Sequence, residues 1–333
     1  MKRFTAAVNR LTSRREFMLV YIIVLGVIGL SYAAPAFLTK SSATAVLLSV
    51  CDQSMIAVGM TILLVAGAFD LSVGSTLALG GLVTAVFASK GFAVPLAIGL
   101  GLATGTLVGI INGLIITEIG INAFITTLGM MSVLRGLVLI ISGGQNVSDL
   151  PPALTRFGQG TVAGVQFPIL VALVVVALGH FLLGRTRFFR QNYYMGGNEK
   201  AAVLSGIDVK RMTVFNFALV GFLAALAGVI VTARLGSAST TAGKGLELRV
   251  ISAVIIGGAS LQGGEGTVFG AFLGTLLMSI IISSINLLGV DLNWVDFVLG
   301  AALLLAVMAD VLGKRTAGGE APSPAAEGGA SSG

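Results

Sequence analysis

Residues 185–211 read RTRFFRQNYYMGGNEKAAVLSGIDVKR and separate two strongly apolar halves of the chain. The stretch carries six cations against two anions, Glu199 and Asp208. Its middle has the signals of a short helix, because Asn198 is a favourable N-cap and Gly206 can adopt the left-handed conformation that ends a helix. The stretch therefore predicts a folded basic module between apolar runs, and the topology of the whole chain is organised around it.

The composition indicates a membrane protein. Of the 333 residues, 56% are hydrophobic and only 10% are charged, whereas soluble domains contain about one quarter charged residues. The apolar residues are gathered into runs near the length of a membrane-spanning helix, and the alternating pattern of a membrane barrel is not seen. The sequence therefore predicts an all-α polytopic membrane protein.

About ten membrane segments are predicted from the apolar runs, at about 20 residues for each span. Two of them, 73–89 and 246–260, are too short to span comfortably, and each adjoins a glycine-rich turn. Such interrupted segments in both halves of a chain are typical of the broken helices that line a transport pathway. Close helix packing through small residues explains them equally well. The predicted segments are 17–37, 43–68, 73–89, 92–117, 123–142, 165–184, 213–233, 246–260, 267–288 and 294–312.

The distribution of positive charge predicts the orientation of these segments. Cations are concentrated in residues 1–16, in residues 185–211 and near the C-terminus, as the positive-inside rule predicts for cytoplasmic segments. Six crossings and then four crossings connect these clusters, so both termini are expected in the cytoplasm, with the polar segments 143–164 and 234–245 outside. The expected regions are a cytoplasmic N-terminus (1–16), a transmembrane domain (17–312) that contains the cytoplasmic segment 185–211, and a disordered, low-complexity cytoplasmic tail (313–333).

Enzymatic and metal-binding functions are disfavoured by the residue types present. The chain has a single histidine, His180, and a single cysteine, Cys51, so residues are lacking for a multi-histidine or thiolate metal site and for histidine-based catalysis. We therefore predict no catalytic residues and no metal. A nucleotide site is not predicted either, because TAGKG (241–245) lacks the first glycine of a P-loop and the serine or threonine after its lysine. Although the net charge is +6, the cations flank membrane segments, so contact with membrane lipid is expected and binding of nucleic acid is not.

Polar residues within the apolar runs are candidates for a transport pathway, because charge inside a membrane is costly and usually faces protein or water. Asp70, followed by Ser72 just before an apolar run, is typical of a helix N-terminus. The same two residues can also shape a constriction in a pathway. Arg135 lies well inside its segment. We expect it to pair with an acid or to bind carbonyl groups of a broken helix, with a hydrogen bond to a hydroxylated substrate as the alternative.

Four stretches of the chain resemble the permeases of ABC importers in the ribose/branched-chain amino acid family. MGGNEKAAVLSGI (195–207) is similar to the coupling segment of that family, and DLSVGS within AVGMTILLVAGAFDLSVGSTLALGG (57–81) is similar to its sugar branch. NAFITTLGMMSVLRGLVLIISGG (122–144) and VISAVIIGGASLQGGEGTVFGAFLGTLL (250–277) resemble further stretches in the family's order. One departure is Phe69, which follows Gly-Ala where the family commonly has Gly-Gly-Ile or a similar sequence before the aspartate.

The resemblance implies the transmembrane subunit of an ATP-driven importer in the bacterial inner membrane. Its pathway would carry a sugar or a related small polar solute delivered by a periplasmic binding protein. A separate ABC ATPase subunit would bind and hydrolyse ATP, so this chain is expected to be no enzyme and to bind no cofactor itself. A second permease subunit, identical or different, would complete the pathway. An ion-coupled secondary transporter of a small polar solute is the alternative, because broken helices suit it too.

The resemblance also implies which residues carry the function. The ATPase would grip the short helix at 198–206, whose small residues would enter a groove on the ATPase, and its motion would pass to the sixth and seventh segments. The residues expected in ATPase coupling are Gly196, Gly197, Asn198, Glu199, Ala201, Ala202, Leu204 and Gly206. The candidates for the translocation pathway are Phe69, Asp70, Ser72, Asn122 and Arg135.

Overall fold

The computed structural model describes residues 15–291 and, with gaps at 296, 299, 303 and 306, residues 294–308. Nearly all of the predicted N-terminal region (1–16), the whole predicted tail (313–333) and part of the tenth predicted segment lie outside the described residues. The rest of the chain is a bundle of long and short helices.

The helices follow one another with short connections. They are α1 (Arg15–Ala33), α2 (Lys40–Val65), α3 (Val73–Ser89), α4 (Val94–Leu114), α5 (Ala123–Ser142), α6 (Pro152–Gln159), α7 (Phe167–Arg185), α8 (Arg187–Gly197), α9 (Glu199–Leu204), α10 (Val209–Leu235), α11 (Leu246–Ile256) and α12 (Val268–Leu287). A 3₁₀ turn at Pro35–Leu38 follows α1, a π-helical turn at Ile115–Ile119 extends α4, and β1 (Thr161–Val162) pairs antiparallel with β2 (Val165–Gln166). The described residues between 294 and 308 are helical.

Among the described residues, seven helices are long and apolar enough to cross a membrane. They coincide with seven of the ten predicted segments, which establishes a polytopic, all-α membrane protein. The predicted segments 73–89 and 246–260 correspond to the shorter helices α3 and α11. The tenth, 294–312, is described only in part, so the count of ten and the cytoplasmic placement of the termini stay predictions.

Helix α10 lies at the centre of the bundle because glycines on its neighbours allow a close approach. Gly105 of α4 faces the carbonyl oxygen of Gly221, and a side-chain carbon at Gly81 of α3 would lie 2.8 Å from the carbonyl oxygen of Gly228. Neither contact leaves room for a side chain, which is the small-residue packing typical of membrane helices. Phe217 of α10 is accordingly fully buried.

Helices α3 and α11 are too short to cross a membrane alone. With a rise of 1.5 Å per residue, the 17 residues of α3 and the 11 residues of α11 cover about 25 Å and about 17 Å, against a hydrocarbon core of about 30 Å. A non-helical segment precedes each helix, residues 66–72 before α3 and residues 236–245 before α11. Broken segments and small-residue packing, the two alternatives left open by the sequence, therefore occur together.

The segment 234–245, predicted as a loop outside the membrane, partly folds into the bundle. We call the end formed by residues 185–211 the basic end, and the opposite end, formed by residues 143–166, the far end. Ala238 pairs with Val147 at the far end, but Gly243, five residues later, packs against Gly74 at the start of α3. The chain thus runs inward from the far end before α11 begins.

An ion pair joins α2 to α10 towards the far end. Arg234 Nη2 lies 2.6 Å from Asp52 Oδ2, and both side chains are largely buried. Gln159 of α6 donates a hydrogen bond of 2.9 Å to the carbonyl oxygen of Arg234. This arrangement accounts for an aspartate within an apolar run, because a charge in such a place requires a partner.

Candidate functional site: the meeting of two short helices and the basic end

The starts of α3 and α11 meet inside the bundle. Gly74 packs on the carbonyl group of Gly243, and a side-chain carbon at position 74 would lie 2.6 Å from a carboxylate oxygen of Glu247. Backbone contacts place Leu77 of α3 beside Gly228 of α10. Since Gly74 lies about one turn before Leu77, α3 begins near the middle of α10. Two helix N-termini therefore face each other at mid-depth in the bundle.

Asp70 is buried in a hydrogen-bond network just before α3. Its Oδ1 accepts from the amide of Ser72 at 2.7 Å and from the hydroxyl of Ser72 at 2.6 Å. Asn112 of α4 donates to the Ser72 hydroxyl oxygen at 3.1 Å. The helix N-terminus expected from these two residues is present, with Ser72 as the N-cap residue of α3, but Ser72 makes no side-chain cap bond. Asn112 was not predicted, although it is a buried amide within an apolar run.

Neither of the two central helices has a side-chain bond from its N-cap residue. The N-caps are Ser72 for α3 and Gly245 for α11. The first amides of a helix carry partial positive charge when no side chain caps them. Glu247 lies in the first turn of α11, where a carboxylate is favoured by that charge.

A cavity of about 540 Å³ opens between α5 and the starts of α3 and α11. Its wall includes Arg135 and Ser132 of α5, Ser75 of α3, and Lys244 and Glu247. We call it the central cavity. Polar and charged groups of both signs therefore line one opening within an otherwise apolar bundle.

Arg135 holds the non-helical chain that precedes α11. Its Nη1 donates to the carbonyl oxygens of Thr240 at 3.1 Å and Ala242 at 2.9 Å. The sequence predicts that Arg135 pairs with an acid or binds carbonyl groups of a broken helix. Its hydrogen bonds are to carbonyl groups. Arg135 thereby fixes the segment that forms part of the cavity wall.

Phe69 and Asn122 lie together at the end of α5 nearer the basic end. Asn122 is the N-cap of α5, and its side-chain oxygen accepts from the amide of Phe124 at 2.8 Å. The rings of Phe69 and Phe124 meet edge to face, with their centres 6.3 Å apart. Arg135 is 13 residues further along α5, or about 20 Å at 1.5 Å per residue. The structure therefore divides the predicted pathway residues between two depths.

At the basic end, the short helix α9 has the caps that its sequence predicts. The side-chain oxygen of Asn198 accepts from the amide of Ala201 at 3.0 Å, and Gly206 has a φ of +84°. Val203 and Leu204 project from the helix, with 54% and 89% of their surface exposed.

One detail of the predicted coupling helix is wrong. Ala202 was expected to enter a groove on a partner, but it is buried within this chain against Met195 and Met212. Ala201 and Ser205 are exposed. The surface of α9 that a partner can reach is thus formed by the other residues of the helix.

Helix α8 was not predicted from the sequence. Thr186 caps it by accepting from the amide of Phe189 at 3.4 Å, and Phe189, Asn192 and Met195 are buried at three-residue intervals. The threonine and this spacing are a helix signal that the charged residues of the interval obscured.

Helix α8 ends against the C-terminal end of α2 and against the chain that follows α11. Gly196 packs on the carbonyl group of Val65 and on the backbone of Gly264, and the Gly264 amide donates to the Val65 carbonyl oxygen at 2.9 Å. The hydroxyl group of Tyr193 donates a hydrogen bond of 2.8 Å to the carbonyl oxygen of Gly266. Burial raises the pKa of the Tyr193 phenol, with a smaller opposing effect of Arg190. The phenol therefore stays protonated and can act as the hydrogen-bond donor. The module at the basic end is thereby joined to the chain that follows α2 and to the chain that follows α11.

Comparison with known proteins shows similarity over most of the chain. Residues 42–307 match a family described as "Branched-chain amino acid transport system / permease component". The chain is 38% identical over 304 residues to the ribose import permease protein of Haemophilus influenzae, covering 90% of this chain and 93% of that one. It is 40% identical over 286 residues to the ribose import permease protein of Bacillus subtilis, covering 85% and 89%.

A third relative carries a different sugar name. The L-arabinose ABC transporter permease protein of Azospirillum brasilense is 36% identical over 308 residues, covering 92% of this chain and 90% of that one. No solved structure matches the chain significantly.

Proposed function

This chain belongs to the family of permease components of branched-chain amino acid transport systems, and we propose that it is the membrane-spanning subunit of an ATP-driven importer in the bacterial inner membrane. The observation that carries the proposal is the capped helix α9, whose Leu204 is exposed at the basic end. The family assignment favours this function over an ion-coupled secondary transporter. The chain is a permease and not an enzyme, and ATP belongs to a partner subunit.

The solute that we propose is a sugar or a related small polar molecule. The relatives at 36–40% identity are named as permeases for ribose and arabinose. The DLSVGS sequence that resembles the sugar branch forms the start of α3, which is the helix that meets α11 beside the central cavity. A periplasmic binding protein would deliver the solute at the far end, where α6 and the β1–β2 hairpin form a structured surface.

The ATPase subunit would bind α9 and the adjoining surface of α8. Leu204 and Val203 are neighbouring apolar residues, both exposed at the basic end, and contiguous exposed apolar surface marks sites of interaction. Between α8 and α9, Gln191, Tyr194, Asn198 and Ala201 line a groove of about 580 Å³. The exposed side chains of Val203 and Leu204 beside this groove would allow the ATPase surface to interlock with α8 and α9. Gly196, Gly197, Asn198, Glu199 and Gly206 would set the shape of this module rather than enter the partner.

Motion of the ATPase would reach the central helices through the end of α8. Gly196 contacts Val65, which precedes the segment leading to α3, and Gly264, which follows α11. A displacement of α8 would therefore act on both broken segments at once, in addition to α7 and α10, which flank the module in the chain. Phe69, Asp70, Ser72, Asn122 and Arg135 border the chain that would move, and we propose that they form the pathway wall.

A second permease subunit, identical or different, would lie against α5. Ile125, Val133 and Ile140 of α5 are exposed by 62%, 58% and 76%, and the central cavity opens beside this helix. A pathway between two subunits would place that opening away from lipid. In this assembly, residues 1–16 and 313–333 would be cytoplasmic extensions of a permease domain at 17–312.

Reconstitution in liposomes tests the proposal. Liposomes that contain the co-expressed permease and candidate ATPase should take up ribose or arabinose only when the binding protein is also present. Uptake should also require ATP on the side of the membrane where the ATPase lies. Uptake by the permease without any ATPase would contradict the proposed function.

Substitution of Leu204 tests the contact itself. Leu204→Asp should reduce co-purification of the ATPase at least tenfold, because an exposed apolar anchor is replaced by a charge. Val162→Asp is the matched control, since Val162 is also an exposed apolar residue (56%) but lies at the far end. Equal retention of ATPase by both variants would rule out α9 as the docking helix.

A further inference from the structure

We propose that the central cavity is a binding station for a neutral, polyhydroxylated solute within the permease itself. This inference rests on the proposed function, but it adds a step that the assignment of a permease does not contain. Solute selection would then occur twice, first in the binding protein and again in the membrane subunit.

Ser75 supplies the first argument. Its side chain is fully buried, the residue borders the central cavity, and within the described part of the chain its Oγ has no hydrogen-bond partner. Buried hydroxyls in folded proteins nearly always have a partner, because an unpaired one destabilises the fold. A solute in the cavity beside Ser75 would supply this missing partner.

The polar groups of the wall indicate the chemistry of the occupant. Arg135 and Lys244 are donors only, Glu247 when ionised is an acceptor only, and Ser75 and Ser132 can act as both. Hydroxyl groups on a solute also donate and accept, so a polyol can satisfy all of these groups. An anionic solute would meet the Glu247 carboxylate, and a cationic solute would meet two positive side chains.

The starts of α3 and α11 favour the oxygen atoms of such a solute. Both helices begin at the cavity without a side-chain bond from the N-cap residue, and the positive end of a helix attracts lone pairs and negative charge. At α11, the Glu247 carboxylate already accepts from the amides of Gly245 and Glu247. Broken helices whose N-termini face a substrate are a recurring arrangement in membrane transporters. Here, the unpartnered Ser75 hydroxyl lies in the first turn of one of them.

The shape of the cavity fits a small solute. Its volume of about 540 Å³ falls in the range of about 300–1,000 Å³ that is usual for small-molecule sites. Met131 and Leu139 of α5 give part of the wall an apolar character. A sugar ring has C–H groups on its faces and hydroxyls at its edge, so it matches a wall that is apolar on one side and polar on the other.

The test compares Ser75→Ala with Ser54→Ala in the complete reconstituted importer. Ser54 is a buried serine of α2 whose hydroxyl bonds to the carbonyl oxygen of Cys51, so it is a matched control away from the cavity. The probes are ribose, arabinose and the monodeoxy analogues of the better substrate, each at saturating binding protein. We expect Ser75→Ala to lower the maximal uptake rate of the parent sugar by about three- to tenfold, the effect of one lost hydrogen bond.

The deoxy analogues separate a solute contact from a structural role. For the analogue that lacks the hydroxyl facing position 75, Ser75→Ala should cause no further loss. Thermal stability of Ser75→Ala should equal or exceed that of the unmodified protein, because no internal hydrogen bond is removed. Glu247→Gln, which keeps the side-chain shape, should alter the relative rates of the deoxy analogues in the same assay.

The outcomes distinguish this inference from the function on which it rests. If the unmodified importer shows ATP-driven sugar uptake but Ser75→Ala behaves like Ser54→Ala with every probe, the binding station is disproved and the proposed function stands. The same holds if Ser75→Ala slows all sugars equally and lowers thermal stability. If the unmodified importer takes up no sugar at all, the proposed function fails first.

Discussion

The start of α3 and the start of α9 show two ways in which this protein begins a short helix. At α9, Asn198 caps the first turn and Gly206 ends the helix, so the element is completed within nine consecutive residues. At α3, the Ser72 hydroxyl is taken up by Asp70 and Asn112, and the helix start depends on segments far away in the chain. The first is specified by its own neighbours in sequence, and the second depends on residues contributed by another helix.

The largest effect is expected where the two central helices meet. In Gly74→Val, the added side chain would overlap the carbonyl group of Gly243 and the carboxylate of Glu247, and overpacking of this kind costs about 1–3 kcal/mol or more. We expect a lower midpoint of thermal unfolding and a loss of ATP-driven uptake of more than tenfold.

Gly99→Val is the control for this change. Gly99 is also a helical glycine, but a side-chain carbon there has no atom within 4 Å. It should unfold and transport like the unmodified protein. Normal uptake by Gly74→Val would mean that close contact between the two helix starts is not required, and the difference drawn between α3 and α9 would lose its basis.

The sequence predicts the basic end much better than the centre. Caps and left-handed glycines act over three to eight residues, so Asn198 and Gly206 could be identified from their neighbours alone. The contact of Gly74 with Gly243 joins segments separated by 169 residues in the chain, and neither local spacing nor hydropathy contains that information. The glycine pattern left broken segments as one of two alternatives and contained no indication that their starts face each other.

The same reasoning explains the errors within the site. Ala202 is small, which is compatible with a partner groove, but its burial depends on Met212 in the next helix. Ser75 and Asn112 were missed because a single polar residue in an apolar run does not reveal which side of its helix is buried. Arg135 was identified because a guanidinium in a membrane segment requires partners wherever it points.

An intermediate effect is expected from a buried amide pair at the basic end. Asn216 of α10 donates to Asn192 of α8 at 2.6 Å, and both side chains are fully buried. Asn216→Leu leaves the Asn192 oxygen without its donor, which should cost about 1–3 kcal/mol. The measurement is the midpoint of thermal unfolding in detergent, with Asn286→Leu, an exposed asparagine of α12, as the control.

A double variant sharpens this prediction. Asn192→Leu with Asn216→Leu replaces both polar groups, so it should be less destabilising than the sum of the single changes. If the single and double changes simply add, the two amides do not interact. The rigidity of the basic end would then come from the caps and from the contacts of Gly196 alone.

The smallest effect is expected from the exposed ion pair that joins α10 to the turn after α4. Lys210 Nζ lies 3.3 Å from Glu118, and the two side chains are 62% and 58% exposed. Pairs this exposed contribute about 0–1 kcal/mol and are screened by salt. Lys210→Met should therefore leave the unfolding midpoint within a few degrees and uptake within about twofold.

If Lys210→Met has a larger effect than this, Glu118→Gln and the double variant show whether the effect arises from the ion pair or from membrane orientation. If Lys210 acts through the pair, Glu118→Gln should reproduce its effect, and the double variant should add nothing to either change. If Lys210 acts instead through membrane orientation, only the loss of the cation should matter, because the positive-inside rule counts lysine and arginine and gives little weight to acids. With five other cations in residues 185–211, that loss should be tolerated. The basic end is then held by its caps and backbone contacts, and its charge serves chiefly to orient it.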